Sequence, residues 1–141
     1  MVTKSDFERI IAMKARIMNK PQGKILIYGM DSETEKKLCG IAESMKLEGT
    51  VISADSASQK VGYLAGFTGF SKTDESFERS EQCVIFSCID GKTLNILLDK
   101  MRAEGLSIPL KAAVTAYNQS MTLSELIDEL KDEHSKLHPN G

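Results

Sequence analysis

Several features are missing from this 141-residue sequence, and each absence argues against a class of protein. No apolar run reaches the roughly 20 residues that a membrane-spanning helix needs. Charges are spread through the N-terminus, which lacks the apolar stretch of a signal peptide. The three cysteines are an odd number, which favours a reducing compartment over a disulfide framework. We therefore expect a cytoplasmic protein without membrane insertion, with its cysteines buried as small apolar residues.

Histidine and surplus basic charge are also scarce. A net charge of −2 makes nucleic acid an unlikely partner, because nucleic-acid-binding domains usually carry a basic excess or stripe. The two histidines, His134 and His138, do not fit the metalloprotease motif, since Ser135 follows the first of them. We expect no catalytic residues, no metal centre and no cofactor.

The charge that is present is distributed unevenly. Residues 1–24 contain six basic and two acidic side chains, whereas residues 122–141 contain two basic and five acidic side chains. This pattern indicates two solvated helix faces that attract each other within or between subunits. A basic surface for membrane or RNA is the alternative.

Apolar spacing and capping signals predict alternating helices and strands. Helices are expected at 5–19, 32–47, 57–65 and 91–104, with a last one from residue 122. Strands are expected at 24–30, 50–54, 83–89 and 109–116, and their unbroken apolar runs suit strands buried on both faces. Four pairs match the capping-box pattern: Ser5/Glu8, Ser32/Glu35, Ser56/Gln59 and Thr122/Glu125.

This order predicts an α/β fold with an open, mostly parallel four-stranded sheet flanked by helices. We expect the strand order 2-1-3-4 of a flavodoxin-like sheet, in a single domain over 1–141. Within it, an amphipathic N-terminal helix over 1–20 precedes the α/β core at 24–137. A ferredoxin-like antiparallel sheet is the alternative. We find no internal repeat.

Polar residues follow three of the predicted strands. If strands 1 and 3 are parallel neighbours, their carboxyl ends open onto one crevice, the usual ligand site of such sheets. The candidate ligand-binding residues at this crevice are Asp31, Ser32, Asp90, Lys92, Thr115 and Asn118. The alternative is that these side chains only cap helices and shape turns. A nucleotide P-loop is not expected, because Phe86 stands where the motif that ends in Gly91-Lys92-Thr93 requires glycine.

The segment Tyr63–Arg79 is the least regular part of the sequence and combines glycines with three phenylalanines. Such a segment is either a mobile lid over a ligand or a connection that its aromatic rings pin to the core.

Two stretches, Lys24–Ile27 and Asp90–Asn118, resemble bacterial response-regulator receiver domains. That resemblance implies a magnesium site after strand 1 and a phosphoryl acceptor after strand 3. At the positions of the magnesium-binding residues this chain has Gly29 and Met30, and the position of the phosphoryl acceptor falls near Ser87. Thr115 fits the hydroxyl residue of the family. The resemblance therefore implies a degenerate receiver.

A second resemblance covers about 83–137 and is strongest in the stretch Leu110–His134. This part of the chain is similar to an uncharacterised bacterial domain family, domain of unknown function 3783. The matching residues are Lys111, Thr115, Asn118, Thr122, Leu123, Leu126, Glu129, Glu133 and His134. The family often has Trp where this chain has Met121. The resemblance implies no established activity.

Taken together, the sequence leaves the function unknown and favours a small non-enzymatic regulatory or protein-interaction module of a bacterial cytosol. We expect a protein partner or a homodimer. The alternative is a small-ligand or cation-binding domain, with an unknown ligand at the carboxyl ends of strands 1, 3 and 4.

Overall fold

Four strands and four α-helices alternate along the part of the chain that the computed structural model describes, residues 23–137. The predicted N-terminal helix and His138 lie outside this range. In chain order the elements are β1 (Lys24–Tyr28), α1 (Ser32–Ser44), β2 (Glu48–Val51), α2 (Val61–Leu64), β3 (Cys83–Ser87), α3 (Gly91–Ala103), β4 (Leu110–Ala113), a 3-10 helix (Asn118–Ser120) and α4 (Leu123–Leu137). None of these helices combines the length and apolar character required to cross a membrane.

The strand order is β2-β1-β3-β4, as predicted, but the strand directions correct the prediction. Strand β1 is parallel to β2 and β3 is parallel to β4, whereas β1 and β3 are antiparallel. The sheet is therefore mixed, and the expectation that strands 1 and 3 run parallel, as in a flavodoxin-like sheet, is wrong. The fully antiparallel alternative also fails, because two of the three pairings are parallel.

Both faces of the central strands are buried, since helices cover each face of the sheet. Successive side chains of a strand point to opposite faces. One face packs against α1 and α3, and the other packs against α2 and α4. The first face of β1 and β3 carries Ile25, Ile27, Val84 and Phe86. The second face carries Leu26, Tyr28, Cys83 and Ile85. Helices α1 and α3 also touch each other above the middle of the sheet.

Capping side chains fix the starts of three helices. Asp31 and Asp90 accept hydrogen bonds from the amides of Thr34 and Thr93, each at 2.7 Å. The first cap is thus one residue earlier than the predicted Ser32. The Thr122/Glu125 capping box forms in both directions, at 2.8 and 3.1 Å.

The third predicted capping box does not form. Helix α2 is a single turn that begins at Val61, four residues later than expected, and no side chain caps it. The Gln59 side chain instead bonds the backbone of Thr73. Strand β2 also begins two residues before the predicted range.

A close contact at Gly49 leaves room for glycine alone. A Cβ atom on Gly49 in β2 would lie 2.9 Å from the Sγ of Cys39, so α1 rests directly on this strand.

Of the three cysteines, Cys83 is buried, Cys39 is half-buried, and Cys88 is exposed, contrary to the expectation that all three are buried.

Gly29 and Cys88 follow β1 and β3 and both have positive φ angles, of 78° and 58°. Glycine adopts this conformation without the cost of about 1–2 kcal/mol that other residues meet. We expect Cys88→Gly to raise the free energy of unfolding by about 0.5 kcal/mol, since the entropy of glycine offsets part of the gain. Urea unfolding would measure the change.

The matched control is Gly29→Ala. A Cβ atom there would lie 2.3 Å from the carbonyl oxygen of Glu81, so we expect a loss of roughly 2 kcal/mol or more. Equal effects of the two substitutions would contradict the assignment of strain.

Candidate functional site

The six candidate ligand-binding residues do not share one crevice. Because β1 and β3 are antiparallel, their carboxyl ends lie at opposite ends of the sheet. Asp31 and Ser32 follow β1 at one end, and the other four follow β3 and β4 at the opposite end, namely Asp90, Lys92, Thr115 and Asn118. The geometric basis for a common pocket at strands 1 and 3 is therefore absent. Ligand binding by either group stays a prediction.

Four of the six side chains make local bonds that define the backbone around them. Asp31 and Asp90 cap helices, and the hydrogen bonds from Thr34 hold the pKa of Asp31 below its ordinary value. The Oδ1 of Asn118 accepts from the amide of Thr115 at 2.8 Å, and the amide of Asn118 donates to the Thr115 hydroxyl at 3.0 Å. Asn118, 7% exposed, also donates to the carbonyl of Ala113 at 2.9 Å. These contacts account for the Thr and Asn as turn-forming residues.

The irregular segment Tyr63–Arg79 is pinned to the core at several points. Gln59, only 5% exposed, bonds both the amide and the carbonyl of Thr73 at 2.9 Å. The Tyr28 hydroxyl accepts from the amide of Arg79 at 2.9 Å and donates to the carbonyl of Ala54 at 2.6 Å. The ring of Phe70 lies over Gly62, where a Cβ atom would come within 2.5 Å of it. This geometry supports the pinned connection rather than the lid.

Arg79 is the centre of a charged network that joins this segment to α4. Its guanidinium bonds both carboxylate oxygens of Glu81 at 3.1 Å, the carboxylate of Asp128 at 2.8 Å and the hydroxyl of Ser124 at 2.8 Å. Lys131 donates to the same Glu81 at 2.7 Å. Bonds from Arg79 and then Lys131 lower the pKa of Glu81 to about 2. The bond from Arg79 also lowers the pKa of Asp128.

An exposed aromatic side chain, Phe77, lies beside this network. It is 51% exposed, although its backbone is fixed on both sides. Its amide donates to the carbonyl of Asp55 at 3.0 Å, and its carbonyl accepts from the amide of Ala57 at 3.0 Å. Phe77 lines an open groove of about 420 Å³ with Ser58, Glu75, Ser76, Thr122 and Ser124.

The surface around Phe77 is acidic. Residues 74–81 contain four acidic residues and one arginine, and α4 contains five acidic residues and two lysines. We call this surface the Phe77 face and define it by Glu75, Phe77, Glu125 and Asp128, which line the groove or contact the residues at its edge. Sequence reasoning missed it, because Arg79 and Asp128 are 49 residues apart and match no motif.

The protein is an α/β protein with a mixed four-stranded sheet. Residues 82–137 match the model of a family described as Domain of unknown function (DUF3783). The match covers β3, α3, β4 and α4, and it confirms the resemblance to an uncharacterised domain family. No curated protein and no solved structure matches the chain.

We expect Asn118→Ala to lower the free energy of unfolding by about 2 kcal/mol, because it leaves the amide of Thr115 and the carbonyl of Ala113 without their partner. Ser120→Ala, an exposed control in the same turn, should change it by less than about 0.5 kcal/mol. Denaturant unfolding of both variants measures this. An unchanged Asn118→Ala protein would contradict a structural role for this side chain.

The low pKa of Glu81 predicts acid sensitivity. A carboxylate whose pKa falls from 4.5 when unfolded to about 2 when folded stabilises the fold above pH 4.5. That stabilisation is lost as the pH falls from 4.5 to about 2. We expect Glu81→Gln to flatten the decline in melting temperature over this interval, as followed by circular dichroism.

Glu78→Gln is the control, because it removes the same charge from an exposed neighbour outside the network. If the two variants gave the same dependence on pH, the assignment of acid sensitivity to the Arg79 network would be wrong.

Proposed function

We propose that this protein is a non-enzymatic protein-interaction module whose Phe77 face binds a basic amphipathic segment. The observation that carries the proposal is an exposed phenylalanine, held by backbone bonds, in a groove that Glu75 lines and that lies beside Glu125 and Asp128. Aromatic side chains seated in grooves supply a large share of the binding energy at protein interfaces.

Rigidity of this surface favours binding. The backbone of Phe77 is bonded on both sides, and Arg79 ties the following residues to Ser124 and Asp128. A surface that is already ordered loses little conformational entropy when a partner docks. The Phe77 face is thus prepared for a partner without rearrangement.

Charge determines which partner fits. The Phe77 face and the rest of α4 concentrate negative charge, whereas the whole chain has a net charge of only −2. A partner segment with lysines and arginines beside apolar residues would match both the carboxylates and Phe77. Opposite potentials of this kind speed association and select the partner.

Such a segment occurs in this chain. Residues 4–20 contain five basic residues, two acidic residues and a periodic apolar pattern that includes Phe7, Ile10 and Ile11. We propose that a second copy supplies this segment, which makes the interaction a salt-sensitive homodimer.

The three free cysteines support a reducing compartment such as the bacterial cytosol.

The test is the molar mass by light scattering at about 50 µM protein, in about 20 mM and about 500 mM salt. We expect a dimer at low salt and a monomer at high salt, because salt screens contacts between exposed charges. Phe77→Ala should be a monomer in both conditions.

Tyr117→Ala is the matched control. Tyr117 is 72% exposed, follows β4 and is not one of the residues that line the Phe77 groove, so its loss should leave the dimer intact. A monomeric wild-type protein at low salt would refute the homodimer, and a dimeric Phe77→Ala protein would refute the role of the Phe77 face.

A further inference from the structure

The two halves of the described chain have the same architecture. The first half runs β1-α1-β2-α2 and the second runs β3-α3-β4-α4. Strands β1 and β3 both have five residues, and α1 and α3 both have 13 residues. Adding 59 to a residue number converts β1 and α1 into β3 and α3, and adding 62 converts β2 and the start of α2 into β4 and the start of α4.

Irregular backbone features of the first half recur 59 residues later in the second half. The capping residues Asp31 and Asp90 are equivalent, as are the positive-φ pairs Gly29/Cys88 and Lys46/Gly105. After the helices, the amide of Leu47 donates to the carbonyl of Ala42 at 2.8 Å, and the equivalent bond joins Leu106 to Met101 at 2.9 Å. Agreement at strained and irregular positions goes beyond a shared order of elements.

Beyond the strands, one bond of the first half recurs in the second. The amide of Ile52 donates to the carbonyl of Ile27 at 2.8 Å. The equivalent bond runs from the amide of Val114 to the carbonyl of Phe86, also at 2.8 Å. The crossover from strand to parallel strand is therefore closed in the same way twice.

Contacts between the halves are reciprocal. The central pair of the antiparallel ladder is Leu26 with Ile85, which are equivalent residues. On the α2/α4 side, the amide of Val61 donates to the carbonyl of Met121 at 2.8 Å. Its counterpart, the amide of Leu123, donates to Gln59 at 2.9 Å. Equivalent residues that face one another define a two-fold axis through the sheet.

We propose that residues 24–65 form a second unit of the same kind as the DUF3783 domain at 82–137, and that this domain pairs through β3 with another unit like itself. In this chain the partner is supplied by the first half. The edge of β3 that β1 covers is thus an interaction surface specific for a like unit. The two units share Asp31/Asp90, Thr34/Thr93, Leu38/Leu97 and Leu47/Leu106 at equivalent positions.

The test exchanges equivalent segments within the full chain, so that residues 30–38 and 89–97 swap places. Composition and charge are unchanged, both capping aspartates keep their positions, and Leu38 and Leu97 replace each other at fully buried sites. We expect a wild-type circular dichroism spectrum and a melting temperature within about 10 °C of the wild type, since a domain of this size shifts by about 4 °C per kcal/mol.

A control exchanges residues 30–38 with 90–98, one residue out of register. It moves both caps and replaces the buried Leu97 by a lysine, so cooperative folding should be lost. If the in-register exchange melts no better than this control, the equivalence of the two units is overturned.

A second variant tests the pairing of like with like. Residues 24–65 are replaced by a copy of residues 83–127 that keeps Tyr28, Gly29, Gln59 and Gly62, because these four residues contact the connection and a side chain at either glycine would collide with it. The connection and the remainder of the chain stay intact. We expect a cooperatively melting protein whose amide spectrum contains paired signals from the two near-identical units. A chain that lacks a cooperative transition would overturn the pairing surface, independently of the function proposed for the Phe77 face.

Discussion

The antiparallel pairing of β1 with β3 is the constraint on which the rest of the described structure depends. It places two apolar strands at the centre of the sheet, where helices cover both faces. It also brings the end of β1 beside the chain that enters β3. As a result Tyr28 reaches Arg79, and Gly29 lies against Glu81 so closely that no side chain fits. The Arg79 network and the Phe77 face are built on this junction.

Much of the fold could be predicted from local signals, because helix caps and apolar periodicity act over a few residues. The helix expected at 91–104 and the Thr122 box are examples. The direction of β3 could not be predicted, since a strand that is apolar on both faces can pair in either direction. The Ser56/Gln59 pattern failed for another reason: both polar atoms of the Gln59 side chain bond the backbone of Thr73, so they do not cap the short turn. The six-residue crevice failed with the strand direction, and the Phe77 face depends on contacts between distant residues.

The proposed repeat, which we did not find from the sequence alone, and the proposed function concern different parts of the molecule. Residues that obey the two-fold relation form the core, including Leu26, Ile85, Val61 and Leu123. The Phe77 face lies where the relation breaks down, because it combines the connection between the halves with α4, which has 15 residues where α2 has four. A symmetric core thus carries an asymmetric surface, and the Phe77 face belongs to the asymmetric part.

The contact of Gly49 with Cys39 has a consequence for how the two flanks tolerate change. Helix α1 lies so close to β2 that even a methyl group on Gly49 would collide with it. The equivalent position in the second half is Lys111, which lines a recess of about 500 Å³ with Leu98 and Met101. The fold therefore rejects added volume at Gly49, whereas the equivalent position in β4 accommodates the long side chain of Lys111. During sequence divergence of the two halves, a larger side chain is acceptable at this position in β4 and not in β2.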